Sequence, residues 1–104
     1  MSIRNITTSE FDKAVASGVT LVDFWGTWCG PCRLQGKILE TQVAPALPDV
    51  PILKVEVDRE AELAARFDVQ AVPTLIVLRD GVEVKRFTGV TPPDELIAAV
   101  TLTL

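Results

Sequence analysis

The sequence predicts an α/β fold, a central mixed sheet of five strands with four helices covering its two faces. Three observations carry this. Apolar runs of strand length alternate with segments of helical periodicity from the N-terminus to about residue 67, the pattern of β-α-β units. Asp80-Gly81 then stands between two strand-like runs, the mark of a tight antiparallel hairpin. A final helical segment opens at Thr91-Pro92-Pro93-Asp94-Glu95. A chain of 104 residues has room for one domain, residues 1–104, and no second one.

Taken in order, Ile3 and Ile6 edge a short first strand. Thr7 and Glu10 have the spacing of a capping box, and Phe11, Ala14 and Val15 share the inner face of a helix that ends by Gly18. Thr20–Trp25 is a buried strand interrupted by one charge, Asp23. A helix is predicted from Pro31 to about Val43, with Leu34, Ile38 and Leu39 at helical spacing. Pro45, Pro48 and Pro51 punctuate the connection to the strand Ile52–Val57. Asp58 is placed to cap a short helix with Leu63, Ala64 and Phe67 on its apolar side. Leu75–Leu78 and Val82–Phe87 are the hairpin strands, and Gly89 ends the second. In the last helix a cap precedes a proline at the first helical position, acids fill the first turn, and Leu96, Ile97 and Val100 face inward. Leu102–Leu104 is an apolar tail that suits either extra packing or a dimer contact.

Hydrophobic residues make up 48% and charged residues 23%, a globular balance. A net charge of −4 argues against general binding to nucleic acid or anionic membranes and leaves proteins as the expected partners. The polar stretch from Thr7 to Glu10 follows Met1–Asn5 too closely for a secretory signal, and the apolar runs fall far short of a membrane span. The expectation is a cytoplasmic protein. In a reducing compartment a Cys-x-x-Cys pair is catalytic or metal-binding rather than a framework disulfide, since so short a bridge closes almost no loop.

That pair lies in Trp25-Gly26-Thr27-Trp28-Cys29-Gly30-Pro31-Cys32-Arg33, which holds both cysteines and both tryptophans of the chain. Gly30-Pro31 supplies a turn that brings the cysteines close enough for a dithiol or a disulfide. Because a strand precedes the segment and a helix follows it, Cys29 falls at the helix start. Unpaired N–H groups and the positive end of the helix dipole favour its thiolate there, and Arg33 adds a positive charge. Cys32, shielded in the first turn, would resolve a mixed disulfide. With two cysteines and no histidine, a structural zinc site would need a second chain or carboxylates, so no metal is expected.

Asp23 admits two readings: a polar contact satisfied by Lys54, or a proton acceptor for Cys32, directly or through water, with its pKa raised by burial. The second is preferred, since a buried ionisable group beside a reactive one tunes it. Trp28 reads as part of a docking surface and Trp25 as packing at the strand end. The alternative for Trp28, as for Gly89 and Val90, is ordinary loop packing.

Trp28-Cys29-Gly30-Pro31-Cys32-Arg33 after Val22-Asp23-Phe24-Trp25 resembles the active-site segment of thioredoxins, and the resemblance extends over nearly the whole chain. It implies the thioredoxin fold and a protein-disulfide reductase in which Cys29 attacks and Cys32 resolves. It matches Asp23 and Lys54 to the family's buried acid and its lysine partner. It implies a cis bond before Pro73, where composition alone gives trans. It also implies a Val72 backbone that bonds an extended substrate, and an apolar rim formed by Val72 with Gly89 and Val90. The implied partners are disulfide-containing proteins and a thioredoxin reductase, an NADPH-dependent flavoprotein. The chain itself would carry no cofactor and act as a monomer. The alternative is a redox-idle interaction subunit, or a module bridging a metal between two chains. The sequence departs from the family at Lys37, where many members have a helix-kinking proline, and at Gly26 and Thr27, where alanine and a polar or acidic residue are common. Gly36 could still let the helix bend.

Overall fold

Val19–Trp25 forms the middle strand of the sheet, β2, because nearly every residue in it can be buried on both faces. The computed structural model describes residues 3–104; Met1 and Ser2, part of the segment read as lacking a signal, lie outside the described residues. The other strands are β1 (Ile3–Asn5), β3 (Ile52–Glu56), β4 (Thr74–Arg79) and β5 (Val82–Thr88), in the order β1-β3-β2-β4-β5. β1 and β2 run parallel to β3, whereas β4 is antiparallel to both β2 and β5. The hairpin turn uses positive φ at Asp80 (52°) and Gly81 (82°), as a two-residue turn of this kind requires. The N–H of Gly18 bonds Asp80 Oδ1 at 2.7 Å, which ties the hairpin end to the start of β2.

Side chains of β2 alternate between two cores. Val22 and Phe24 join Phe11, Val15, Leu53, Leu63 and Ile76 beneath α1 (Thr8–Ala14) and α3 (Ala61–Arg66). Val19 and Leu21 join Leu39, Val43, Leu75, Leu96 and Val100 on the opposite face, covered by α2 (Gly30–Ile38) with its continuation and by α4 (Pro93–Thr103). By the same alternation Asp23 belongs to the second face, under α2.

The expected capping at α1 is present: the N–H of Thr7 donates to Glu10 Oε1 at 3.0 Å. Other expectations are corrected. The segment from Pro31 to Val43 is not one α-helix; α2 ends at Ile38 and Leu39–Val43 is a π-helical turn, followed by a 3₁₀ turn at Ala44–Ala46. The hydroxyl of Thr41 donates to the carbonyl of Lys37 at 2.7 Å inside this change of pitch. The helical pitch thus changes without a proline at position 37. Leu34 is exposed, and the buried positions of α2 are Cys32 and Gln35, with Leu39 next in line. Glu60, not Asp58, is the N-cap of α3. Pro92 is the N-cap of α4, with Pro93 at its first position, so Thr91 lies one residue outside the helix. No helix among the described residues is long and apolar enough to cross a membrane.

Candidate active site

The β2–α2 junction puts Cys29 at the N-cap of α2, with an extended backbone, and Cys32 in the first turn. The cysteines are joined as a disulfide, with their Cα atoms 5.3 Å apart. The N–H of Cys32 points at Cys29 Sγ from 3.1 Å. That donor is one of the helix-start N–H groups without an intrahelical acceptor, so it stabilises negative charge on Cys29 sulfur when the pair is reduced. Both cysteines are almost fully covered, Cys29 at 4% and Cys32 at 3% exposure. Gly30 and Pro31 are exposed and make the outer turn between them.

On the outer side, the Val72–Pro73 bond is cis and the carbonyl of Val72 lies 3.7 Å from Cys29 Sγ. Val72 is half-buried and Pro73 buried. The N–H of Gly89, at φ 90°, donates to the carbonyl of Pro73 at 2.8 Å and brings the β5–α4 connection to the same place. Val90 beside it is exposed. Trp28 is 64% exposed, and its indole N–H donates to Asp58 Oδ2 at 2.7 Å. Asp58 is thereby occupied by the site rather than by α3. The structure therefore places Val72, next to Pro73, against Cys29 beside Trp28, and ties Gly89, with Val90 next to it, to Pro73.

On the inner side Asp23 is completely buried, and neither carboxylate oxygen has a hydrogen-bond partner. Burial pushes its pKa up to about 7, against the weaker downward pull of Lys54. Asp23 and Lys54 are paired in register across β2 and β3, yet no ion pair joins them. The reading of Asp23 as satisfied by Lys54 is overturned, because the Lys54 ammonium instead sits over the Trp25 ring, 4.9 Å from its centroid. A Cβ on Gly36 would come within 3.3 Å of Lys54 Nζ, so the glycine leaves room for it. A cleft of about 750 Å³ opens along this side, lined by Trp25, Thr27, Cys32, Arg33 and Lys54 among others. Cys32 is thus part of the cleft wall, and Pro73 is not.

Gly26 is buried, and a Cβ there would meet the Trp28 ring at 2.8 Å, so the indole lies directly on its backbone. Sequence reasoning missed one residue of this neighbourhood. Gln35 is fully buried and bonds the backbone of Thr91 through both ends of its amide. The available signal was its position three residues after Cys32 and four before Leu39, on the inner stripe of α2.

The family model described as Thioredoxin matches residues 2–102. The chain belongs to the thioredoxin family. A thioredoxin of Staphylococcus aureus is 44% identical over 96 residues, covering 92% of each chain. The solved thioredoxin of Fasciola hepatica superposes with a TM-score of 0.86 at 34% identity over the whole of both chains. That of Malassezia sympodialis gives 0.86 at 30% identity, covering 99% of this chain and 94% of the other. The five-stranded mixed sheet and four helices are the thioredoxin fold. With its disulfide-bonded Cys29 and Cys32, this thioredoxin-family chain is a thiol–disulfide oxidoreductase, a protein-disulfide reductase acting through a mixed disulfide. Family and disulfide together favour that activity over a redox-idle or metal-bridging module. Membership brings disulfide substrates and a reductase partner in general.

Proposed function

We propose that the two sulfurs divide the work, with Cys29 attacking and Cys32 resolving. The observation that carries this assignment is the Cys32 N–H directed at Cys29 Sγ from the start of α2. In the reduced protein the Cys29 thiolate attacks one sulfur of a substrate disulfide. A Cys29–substrate S–S bond forms, the substrate S–S bond breaks, and the released thiolate takes a proton from solvent. Cys32 then gives its proton to Asp23, directly or through water, and attacks Cys29 Sγ. The Cys29–Cys32 bond forms and the second substrate thiolate leaves. Two electrons have passed to the substrate. Support for Asp23 as acceptor is its lack of any other partner and a pKa of about 7, at which it can both take and return a proton. Lys54 tunes Asp23 by its charge, held close by Trp25 and Gly36.

Trp28, Val72, Pro73, Gly89 and Val90 are read as the docking rim. An extended peptide would pair with the Val72 backbone as a short added strand. The regenerating partner is proposed to be an NADPH-dependent flavoprotein, and the working form a single-domain cytoplasmic monomer. Single-turnover reduction of insulin tests the division of labour. Cys29→Ser should abolish reduction, whereas Cys32→Ser should trap a covalent mixed disulfide through Cys29. Trapping by Cys29→Ser and not by Cys32→Ser would reverse the assignment.

A further inference from the structure

Gln35 is a polar side chain with no access to solvent, on the helix that starts at Cys29. Its Oε1 accepts the Thr91 N–H at 2.7 Å, and its Nε2 donates to the Thr91 carbonyl at 3.2 Å. Thr91 is itself buried, and its hydroxyl donates to the carbonyl of Gly89 at 3.0 Å. From Gly89 the N–H reaches the carbonyl of Pro73, and Val72 next to it faces Cys29 Sγ. Starting at Cys29, these contacts form a closed ring: α2, the β5–α4 connection, the Pro73 loop and back to sulfur.

Inside that ring the peptide groups of Thr91 are cut off from water and must find partners within the protein. No strand is available to them, because Thr91 lies between the end of β5 and the start of α4. The Gln35 amide supplies one acceptor and one donor, as a neighbouring strand would. Without it, the connection carrying Val90 would be held to the site only through Gly89 and Pro73.

We infer that Gln35 is a positioning residue for protein substrates: it locks the Gly89–Thr91 connection to the active-site helix and so fixes the height of the rim over Cys29. The inference rests on the rim reading given above. The side-chain hydrogen bonds of Gln35 go to Thr91 and not to either sulfur. Its removal should therefore weaken capture of a folded or extended polypeptide and leave the sulfur chemistry alone.

The test compares two oxidants on the reduced protein, insulin and the small aromatic disulfide 5,5′-dithiobis(2-nitrobenzoate). Gln35→Met keeps the side-chain length and helix propensity but orphans both Thr91 groups. The KM for insulin should rise about fivefold with kcat little changed, and the rate with the small disulfide should stay within about twofold. Gln35→Glu adds a signature that loss of packing cannot produce. A protonated carboxyl can donate to the Thr91 carbonyl and accept its N–H, whereas the carboxylate can only accept. With rates normalised to the small disulfide, the insulin KM of Gln35→Glu should fall toward wild type as pH drops from about 8 to about 5.5, and that of Gln35→Met should not. Equal losses with both oxidants, or no loss with either, would overturn the inference. Hydrogen exchange at Thr91 judges it without mutation: protection comparable to β4 is expected, and exchange as fast as at an exposed loop would overturn it. Wild-type protein inert toward both oxidants would instead remove the functional reading, leaving the exchange result to decide the brace.

Discussion

Asp23 destabilises the fold at neutral pH, and the sign follows from its surroundings. Its carboxyl is fully buried with both oxygens unpartnered, so ionisation is costly and its pKa rises from 3.8 to about 7. A raised carboxyl pKa means that the folded state holds its proton more tightly than the unfolded chain. The associated stability is complete below the unfolded pKa and is lost as pH climbs to about 7. At about 1.36 kcal/mol per unit, the loss across that window is about 4 kcal/mol. In urea titrations of the oxidised protein, the stability advantage of Asp23→Asn over wild type should grow by about 4 kcal/mol between about pH 4 and pH 7.5, then level off. A difference independent of pH would show that Asp23 ionises freely. The same substitution removes the proton acceptor, so the resolving step should slow about a hundredfold while the first attack by Cys29 is retained. This residue was legible in the sequence because a lone acid in an apolar strand is anomalous. Its failure to pair with Lys54 was not legible, since that depends on Trp25 offering the ammonium a ring face.

At the scale of elements, the loop between β2 and α2 shows how a small residue shapes the rim. Gly26 has no Cβ to hold the Trp28 indole away, and the ring settles within reach of Asp58. Gly26→Ala should therefore lift the indole and break its 2.7 Å bond to Asp58. The Trp28 indole N–H resonance should shift as it does in Asp58→Ala, with a stability change of about 1 kcal/mol or less for this exposed contact. An unshifted resonance would mean that the backbone, not the ring, gives way. Elements with a strong local signal were readable in advance. Thr7 and Glu10 fixed the start of α1, and Asp80-Gly81 fixed the hairpin. The α2 segment was only partly readable. Its polar Gln35 sits on the inner stripe and its apolar Leu34 on the outer, so hydrophobic periodicity pointed to the wrong residue. Its change to a π-turn after Ile38, over a stretch in which Leu39 and Val43 are buried, is announced by no short-range pattern.

Across the whole molecule, the sheet separates two cores, and only one of them lies behind the chemistry. Phe11 belongs to the face under α1 and α3, whereas Leu39 belongs to the face under α2 and its π-turn, the face that also holds Asp23. Both side chains are fully buried. Truncation to alanine should cost about 3–5 kcal/mol at Phe11 and about 2–5 kcal/mol at Leu39, a large share of the roughly 5–15 kcal/mol typical of a domain this size. The two losses should nevertheless differ in what they do to the site. Phe11→Ala leaves the support of α2 intact, so the alkylation rate of Cys29 in the reduced, folded protein should match wild type. Leu39→Ala opens a cavity beneath the end of α2. Its collapse moves the helix whose first turn holds the Cys32 N–H against Cys29 Sγ, and Cys29 should react at a changed rate even where the protein remains fully folded. Iodoacetamide kinetics below the onset of unfolding, with folding checked by circular dichroism, make the comparison. If both variants alkylate like wild type, the helix start is rigid on its own, and the packing under α2 serves stability alone.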